Sequence, residues 1–290
     1  MPEYEFDAIG TRWQITTAHP LPAAVRAAVH AQIEEYDRAL SRFRGDSAVS
    51  ELARNGGSAA LPAYVGDLVA LYRTLETLTN GAVNPLVGRS MEALGYDAAY
   101  TLRPTGATVA APAMGDAVTY ADGVLRVTEP VLIDVGAIGK GQLVDLVAQI
   151  LGRARLAPFI VDAGGDLFVS SGHDEPVRVG LEDPADAGRV IGALPVDGRA
   201  VCGSAPNRRQ WGKGLHHIID ARSGAPLFMG RGAIATWGIA DSAAVADAAA
   251  SALFFAAPEA VSAALDCQCL TLDGGGRAVW SHDLPVEVYA

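Results

Sequence analysis

Apolar positions change their period along the chain. After Pro22, Val25, Val29, Ile33, Tyr36, Leu40 and Phe43 recur at steps of four and three. One apolar stripe on a 3.6-residue period predicts an amphipathic helix there. A short helix is expected after Asp46, and another after Pro62. In the latter, Val65, Leu68, Val69, Tyr72, Leu75 and Leu78 form the stripe, and Asn80-Gly81 supply the stop. Ahead of the first helix, residues 4–9 and 12–17 alternate and read as a hairpin turning at Gly10. Residues 103–117 are rich in Thr, Pro and Gly and read as irregular connection.

From Val124 the pattern shortens to strand length. Residues 124–127 and 131–133 are expected to pair, and residues 140–156 make another amphipathic helix. Strands are expected at 159–161, 167–170, 177–181, 190–196, 199–202 and 216–219. Helices at 242–256 and from Pro258, then a strand at 270–272, finish the pattern. Helices concentrate in 1–120 and strands in 121–290, with no internal repeat or linker. The expected fold class is therefore α+β: two intimately packed lobes, mixed or antiparallel sheets flanked by helices, and an active-site cleft between them.

Half of the 290 residues are hydrophobic and 19% are charged, enough for a sizeable core. Lys and Arg number 22 against 33 Asp and Glu, a formal charge of −11. That balance argues against nucleic acid as a partner, which needs clustered cations. Three cysteines make no disulfide framework, and Cys267-Gln-Cys269 lacks the second Cys/His pair of a zinc site. The first residues show no basic start followed by an apolar run. Residues 243–257 are too short and too polar to span a bilayer. A soluble cytoplasmic protein without a membrane anchor is the expectation.

Four segments carry possible chemistry. Asp134-Val-Gly136-Ala137-Ile-Gly139-Lys140-Gly141 joins a strand to a helix. Its backbone N–H groups can face a phosphate, with Lys140 as a point charge, or the glycines can serve the turn alone. It is not a Walker A loop, since Gly141 stands where Ser or Thr should follow the lysine. Asp162-Ala-Gly164-Gly165-Asp166 is a tight turn whose glycines allow close backbone approach. In His216-His217-Ile-Ile-Asp220, strand alternation puts the two histidines on opposite faces, so one can face a cleft beside a carboxylate; a structural histidine fits as well. Asp247 and Ser251, four apart in an alanine-rich helix, share a face. With a carbonyl and phosphate oxygens they would suit Mg²⁺; local capping is the alternative.

Together these segments resemble the FAD:protein FMN transferase family (ApbE-like proteins). Gly10-Thr11-Arg12-Trp13 is similar to its Met-Gly-Thr-x-Trp opening, and Ser41-Arg42-Phe43 with Ser47 and Leu52 to its Ser-Arg-Phe segment. Gly81 through Gly95-Tyr96 resembles Gly-x-Phe-Asp-Pro-Thr-Val-Gly…Trp-Gly-Phe. Asp134 to Asp145 matches Asp-x-Gly-x-x-x-Lys-Gly-x-x-x-Asp, and Gly164-Gly165-Asp166 matches the Gly-Gly turn. His217-Ile-Ile-Asp220 with Ser223-Gly224 resembles His-Ile-x-Asp-Pro-x-Thr-Gly, and Asp247 to Ser251 the Ala-Asp-x-x-Ala-Thr helix. The resemblance implies Mg²⁺-dependent transfer of FMN from FAD to a Thr or Ser hydroxyl of an acceptor flavoprotein, releasing AMP. By the same resemblance, Asp247, Ser251 and the carbonyl of Ala137 hold Mg²⁺. Gly136, Ala137, Gly139, Lys140, Gly141, Gly164, Gly165 and Asn84 contact FAD. His217 activates the acceptor hydroxyl, with Asp220 as its orienter. Departures from the pattern include Asn84 for Asp, Leu86 for Thr, Cys202-Gly203-Ser204 for Thr-Ser-Gly, Ala221 for Pro, and Ser251 for Thr, which keeps the hydroxyl. FAD hydrolysis to FMN and AMP, or FAD binding without turnover, are the alternatives.

Overall fold

Alternation at the start of the chain gives a hairpin, β1 (Glu3–Ala8) against β2 (Thr11–Thr17), which turns through Ile9 and Gly10 at positive φ. The computed structural model describes residues 1–115, 117–228, 230 and 232–289. It divides into two compact units. The first comprises Met1–Ile33, Lys140–Asn207 and Met229–Ala290; the second comprises Glu34–Gly139 and Arg208–Phe228. Helix α1 (Ala23–Leu40) contributes residues to both.

The first unit is built on an eight-stranded sheet. Its order is β1, β2, β6 (Phe159–Asp162), β7 (Asp166–Val169), β10 (Arg199–Ser204), β13 (Ala233–Ala240), β14 (Gln268–Asp273) and β15 (Ala278–Trp280). Every neighbouring pair is antiparallel. A smaller antiparallel sheet pairs β8 (Val177–Asp183), β9 (Asp186–Val196) and β16 (Glu287–Val288). Leu181, Leu194 and Val196 of that sheet share a core with Val169, Val201, Trp237, Ile239 and Leu270. Strand β13 has no apolar alternation to announce it: from Ala235 to Ala240 all six residues are buried. The alanine-rich helix α6 (Ala243–Ala252) packs on β13 and β10. It comes so close that a Cβ on Gly238 would stand 2.1 Å from the Ala246 carbonyl oxygen. Helix α7 (Pro258–Leu265) covers β14, and α5 (Gly139–Arg153) completes the unit.

In the second unit, α2 (Ala48–Asn55) starts at Ser47, whose Oγ accepts from the Ser50 N–H at 3.2 Å. Helix α3 (Tyr64–Leu78) runs as its stripe predicts and stops at Asn80 and Gly81, both at positive φ. A three-stranded antiparallel sheet has the order β3 (Gly57–Ala60), β5 (Val124–Val127), β4 (Val118–Ala121). The expected pairing of 124–127 with 131–133 does not occur. Residues 131–133 form no strand, and β5 takes β3 and β4 instead. The Leu132 carbonyl accepts from Gly88, and Asp134 N–H donates to Pro85, so this stretch is tied to the 3₁₀ turn Pro85–Val87 and helix α4 (Gly88–Ala93). The expected strand 216–219 shrinks to β11 (Ile219–Asp220), paired with β12 (Ala225–Pro226). Residues 103–115 and 117 carry neither helix nor strand. The fold is α+β, with antiparallel pairing throughout the described strands.

Candidate functional site

Half of the motif residues converge within the first unit, around the start of α5. Gly141 N–H donates to Asp247 Oδ2 at 3.0 Å, and Asp247 is only 3% exposed. Only glycine fits at 141, because a Cβ there would lie 2.2 Å from the Ala243 carbonyl oxygen and 2.7 Å from the Asp247 Cβ. One turn further along α5, Asp145 accepts from Ser242 Oγ (2.7 Å), Ala243 N–H (2.7 Å) and Ala244 N–H (2.9 Å). These donors open α6, whose first N–H groups have no partner inside the helix. Burial raises the Asp145 pKa, against the pull of the three hydrogen bonds.

Lys140 pairs with the fully buried Asp166, the first residue of β7. The preceding turn is held by Gly165 N–H donating to Asp162 Oδ1 at 2.9 Å. Gly164 and Gly165 both sit at positive φ, where glycine carries no steric cost. A Cβ on Gly164 would meet Thr11 Oγ1 at 2.2 Å, so this turn packs on the Gly10-Thr11 opening of β2. On its other side, Gly203 N–H donates to the Gly165 carbonyl, and Cys202 lies opposite Asp166 in register. The Cys202 thiol donates to the Ala243 carbonyl at 3.4 Å, and burial pushes its pKa up. Thr11, Gly164–Asp166, Cys202–Gly203, Lys140–Gly141 and α6 are thus one packed arrangement. Ser251 follows Asp247 by four residues on α6 and is partly exposed.

The remaining residues belong to the second unit. Asp134 accepts from Arg42 Nε at 2.5 Å and, through Oδ1, from Gly136 N–H at 2.7 Å. Burial works to raise its pKa, yet the Arg42 guanidinium and the Gly136 N–H together hold it below the ordinary carboxylate value. Arg42 also donates to the Tyr96 carbonyl and lies over the Phe43 ring, 4.2 Å from its centroid. Tyr96 stacks on Trp211 at 5.1 Å. Gly139 N–H donates to the Val135 carbonyl, closing the turn that holds Ala137. Asn84 is buried and spends both ends of its amide on backbone. Oδ1 accepts from Leu86 N–H and Nδ2 donates to the Pro112 carbonyl, both at 2.8 Å.

The two histidines differ as one-sided exposure requires, though not through strand alternation. His216 is buried, with Nε2 3.1 Å from the Leu227 carbonyl oxygen and Nδ1 accepting from Ile218 N–H; burial lowers its pKa. His217 is half-buried, with Nδ1 3.4 Å from the Arg209 carbonyl oxygen. The Asp220 carboxylate is gripped by Arg222, whose Nη2 lies at 2.6 Å and Nε at 2.9 Å. That bond, opposed by desolvation, keeps its pKa low. Ala221 donates its N–H to the Ala82 carbonyl, and Gly224 has no room for a Cβ, which would stand 2.0 Å from the Val109 carbonyl oxygen.

Sequence reasoning undervalued Asp145 and Asp166. Asp145 appeared only as the end of a motif, although its place four residues after Gly141 puts both on one face of α5. Asp166 appeared as a turn residue; only its burial reveals it as the partner of Lys140. Among the described residues, no group of three or more His, Cys, Asp and Glu could by itself hold a metal ion. No helix there is long and apolar enough to cross a membrane.

The family model described as the ApbE family matches residues 9–272. A protein of Rhodobacter capsulatus named FAD:protein FMN transferase is 31% identical over 273 residues, covering 88% of this chain and 51% of that protein. A Treponema pallidum protein of the same name is 30% identical over 257 residues, covering 75% of this chain and 69% of its own length. The chain therefore spans about half the length of the Rhodobacter relative and about two thirds of the Treponema one. Among solved structures, the flavin transferase ApbE of Vibrio cholerae superposes with a TM-score of 0.81 at 21% identity over 97% of both chains. The ApbE protein of Thermotoga maritima gives 0.76 at 23% identity, again over 97% of both. These structures share the fold, the family model spans the motifs in order, and the chain belongs to the ApbE family.

Proposed function

We propose that the chain is an FAD:protein FMN transferase. It moves FMN from FAD to a threonine or serine hydroxyl of an acceptor flavoprotein in a Mg²⁺-dependent reaction that releases AMP. The observation that carries this reading is the family match over residues 9–272, with relatives that bear that name. In the transfer, the acceptor O–H bond breaks and an O–P bond forms at the FMN-side phosphorus. The P–O bond to the AMP phosphate breaks in turn.

Asp247, Ser251 and the Ala137 main-chain carbonyl would hold the Mg²⁺. The donor set fits: all three supply oxygen, and Asp247 and Ser251 lie one turn apart on α6. Three protein oxygens leave positions for diphosphate and water. When bound, the cation neutralises charge on the transferred and leaving oxygens. Gly136, Gly139, Lys140, Gly141, Gly164 and Gly165 bring backbone and one cation to FAD. Asn84 acts through the loop it ties together. His217, whose Nδ1 lies 3.4 Å from the Arg209 carbonyl oxygen, takes the acceptor proton. Asp220, which holds Arg222, shapes the turn that follows His217.

The test is incubation with FAD and Mg²⁺, with and without an acceptor flavoprotein, read by mass spectrometry. Transfer predicts an acceptor heavier by one FMN moiety and an equal amount of AMP. AMP with free FMN and an unmodified acceptor would establish FAD hydrolysis instead.

A further inference from the structure

We infer that Asp145 is a positioning residue for the metal carboxylate, acting through the first turn of α6. The inference rests on the reading of Asp247 as a Mg²⁺ ligand. The Asp145 carboxylate takes three donors from three consecutive residues: Oδ1 accepts from Ala243 N–H, and Oδ2 accepts from Ser242 Oγ and Ala244 N–H. Ala243 lies one helical turn before Asp247, so gripping it fixes both the height and the rotation of the Asp247 side chain.

The second point of attachment is Gly141, on the same face of α5 as Asp145. Its N–H holds Asp247 Oδ2, and its missing side chain lets the Ala243 carbonyl approach. Two contacts one turn apart on α5 thus meet two positions one turn apart on α6. An ordinary N-cap needs only the Ser242 hydroxyl, which already receives the Val245 N–H at 3.4 Å. A half-buried carboxylate that takes three donors from the first turn of α6 exceeds what capping requires. Outer partners that fix a metal ligand's orientation typically change metal affinity by about 10–100-fold when lost.

The experiment measures Mn²⁺ binding by electron paramagnetic resonance on the full chain, together with the Mg²⁺ dependence of AMP release from FAD. In Asp145→Asn, one orientation of the amide sets its NH₂ against Ala243 N–H and the other sets it against Ala244 N–H. At least one bond is therefore lost without a change of shape. The expected result is a rise of about tenfold in the Mn²⁺ dissociation constant. The half-saturating Mg²⁺ concentration should rise in parallel, and the rate at saturating Mg²⁺ should stay near wild type. Ser242→Ala, which removes one of the three donors from the α6 side, should move affinity in the same direction by less. Asp247→Ala should abolish Mn²⁺ binding. Unchanged Mn²⁺ affinity in both Asp145→Asn and Ser242→Ala, with binding lost in Asp247→Ala, would overturn the positioning role and leave the metal reading standing. Full Mn²⁺ binding by Asp247→Ala would overturn the metal reading and the inference with it. A lower melting temperature with unchanged Mn²⁺ affinity would make Asp145 a helix cap only, which also overturns it.

Discussion

Two departures from the family pattern, Asn84 and Ala221, have local explanations at the scale of single residues. Where the family usually has Asp, Asn84 donates through Nδ2 to the Pro112 carbonyl while its Oδ1 caps Leu86. A carboxylate can make the second bond but not the first, and would set an anion against a carbonyl oxygen. Asn84→Asp should therefore destabilise the protein by about 1–3 kcal/mol at neutral pH, measured by urea unfolding. The loss should narrow as pH falls toward the ordinary aspartate pKa of about 3.9, because a protonated carboxyl donates again. A constant loss from pH 7 to pH 4 would remove the Pro112 bond as its cause. Ala221 follows the same logic. Its N–H is bonded to Ala82, and the family's proline has no N–H to give. Asp134 supplies the opposite pH dependence. Its pKa is held below the unfolded value, so its contribution is complete above about pH 3.9 and is lost as pH falls through the folded-state value. Asp134→Asn should thus remove part of the acid sensitivity while lowering stability at pH 7. Equal acid-unfolding midpoints for the two proteins would contradict it.

At the scale of elements, α5 shows how two glycines of one helix play different parts. A Cβ on Gly141 would collide with α6, whereas Gly152, eleven residues on, has nothing within 4 Å. Gly152→Ala should stabilise by about 0.5–1 kcal/mol through helix propensity alone. Gly141→Ala should cost about 1–3 kcal/mol through overpacking and raise the Mg²⁺ needed for AMP release, because the Asp247 bond depends on that approach. Paired melting curves decide it, and matching shifts in the two variants would refute the contrast. The helices themselves were legible: α1, α2, α3, α5, α6 and α7 follow apolar stripes, caps and proline starts. Strand β13 was not, since burial on both faces erases the period-two signal. Residues 131–133 look like a strand by composition, but their backbone groups go to the Pro85–Val87 turn and α4. The motif residues could be found from spacing and resemblance. That Lys140 would meet Asp166, or Asp145 the start of α6, depends on tertiary packing that no local period encodes.

At the scale of the whole molecule, sheet order departs from chain order where β2 pairs with β6, bringing Gln14 opposite Asp162. The Thr11 and Gly164 motifs become neighbours by that pairing, which is why their separation in sequence concealed one structural feature. Net charge acts at the same scale. A chain of −11 repels a diphosphate at long range, so a transferase reading requires attraction to arise locally. Lys140 contributes less than its sequence position suggests, because its charge is already opposed by Asp166. The helix and glycine N–H groups are dipoles of short reach. On the proposed reading, a bound divalent cation would supply that local attraction. FAD affinity should therefore fall at least tenfold when Mg²⁺ is replaced by EDTA. At saturating Mg²⁺, raising NaCl from 0.05 to 0.5 M should change it by less than about threefold, because screening weakens the long-range repulsion along with any attraction. Fluorescence titration of FAD with Mg²⁺ or with EDTA, each at both salt concentrations, separates the cases. Steep weakening by salt with no response to EDTA would place the attraction in exposed cations and exclude a metal-centred diphosphate site.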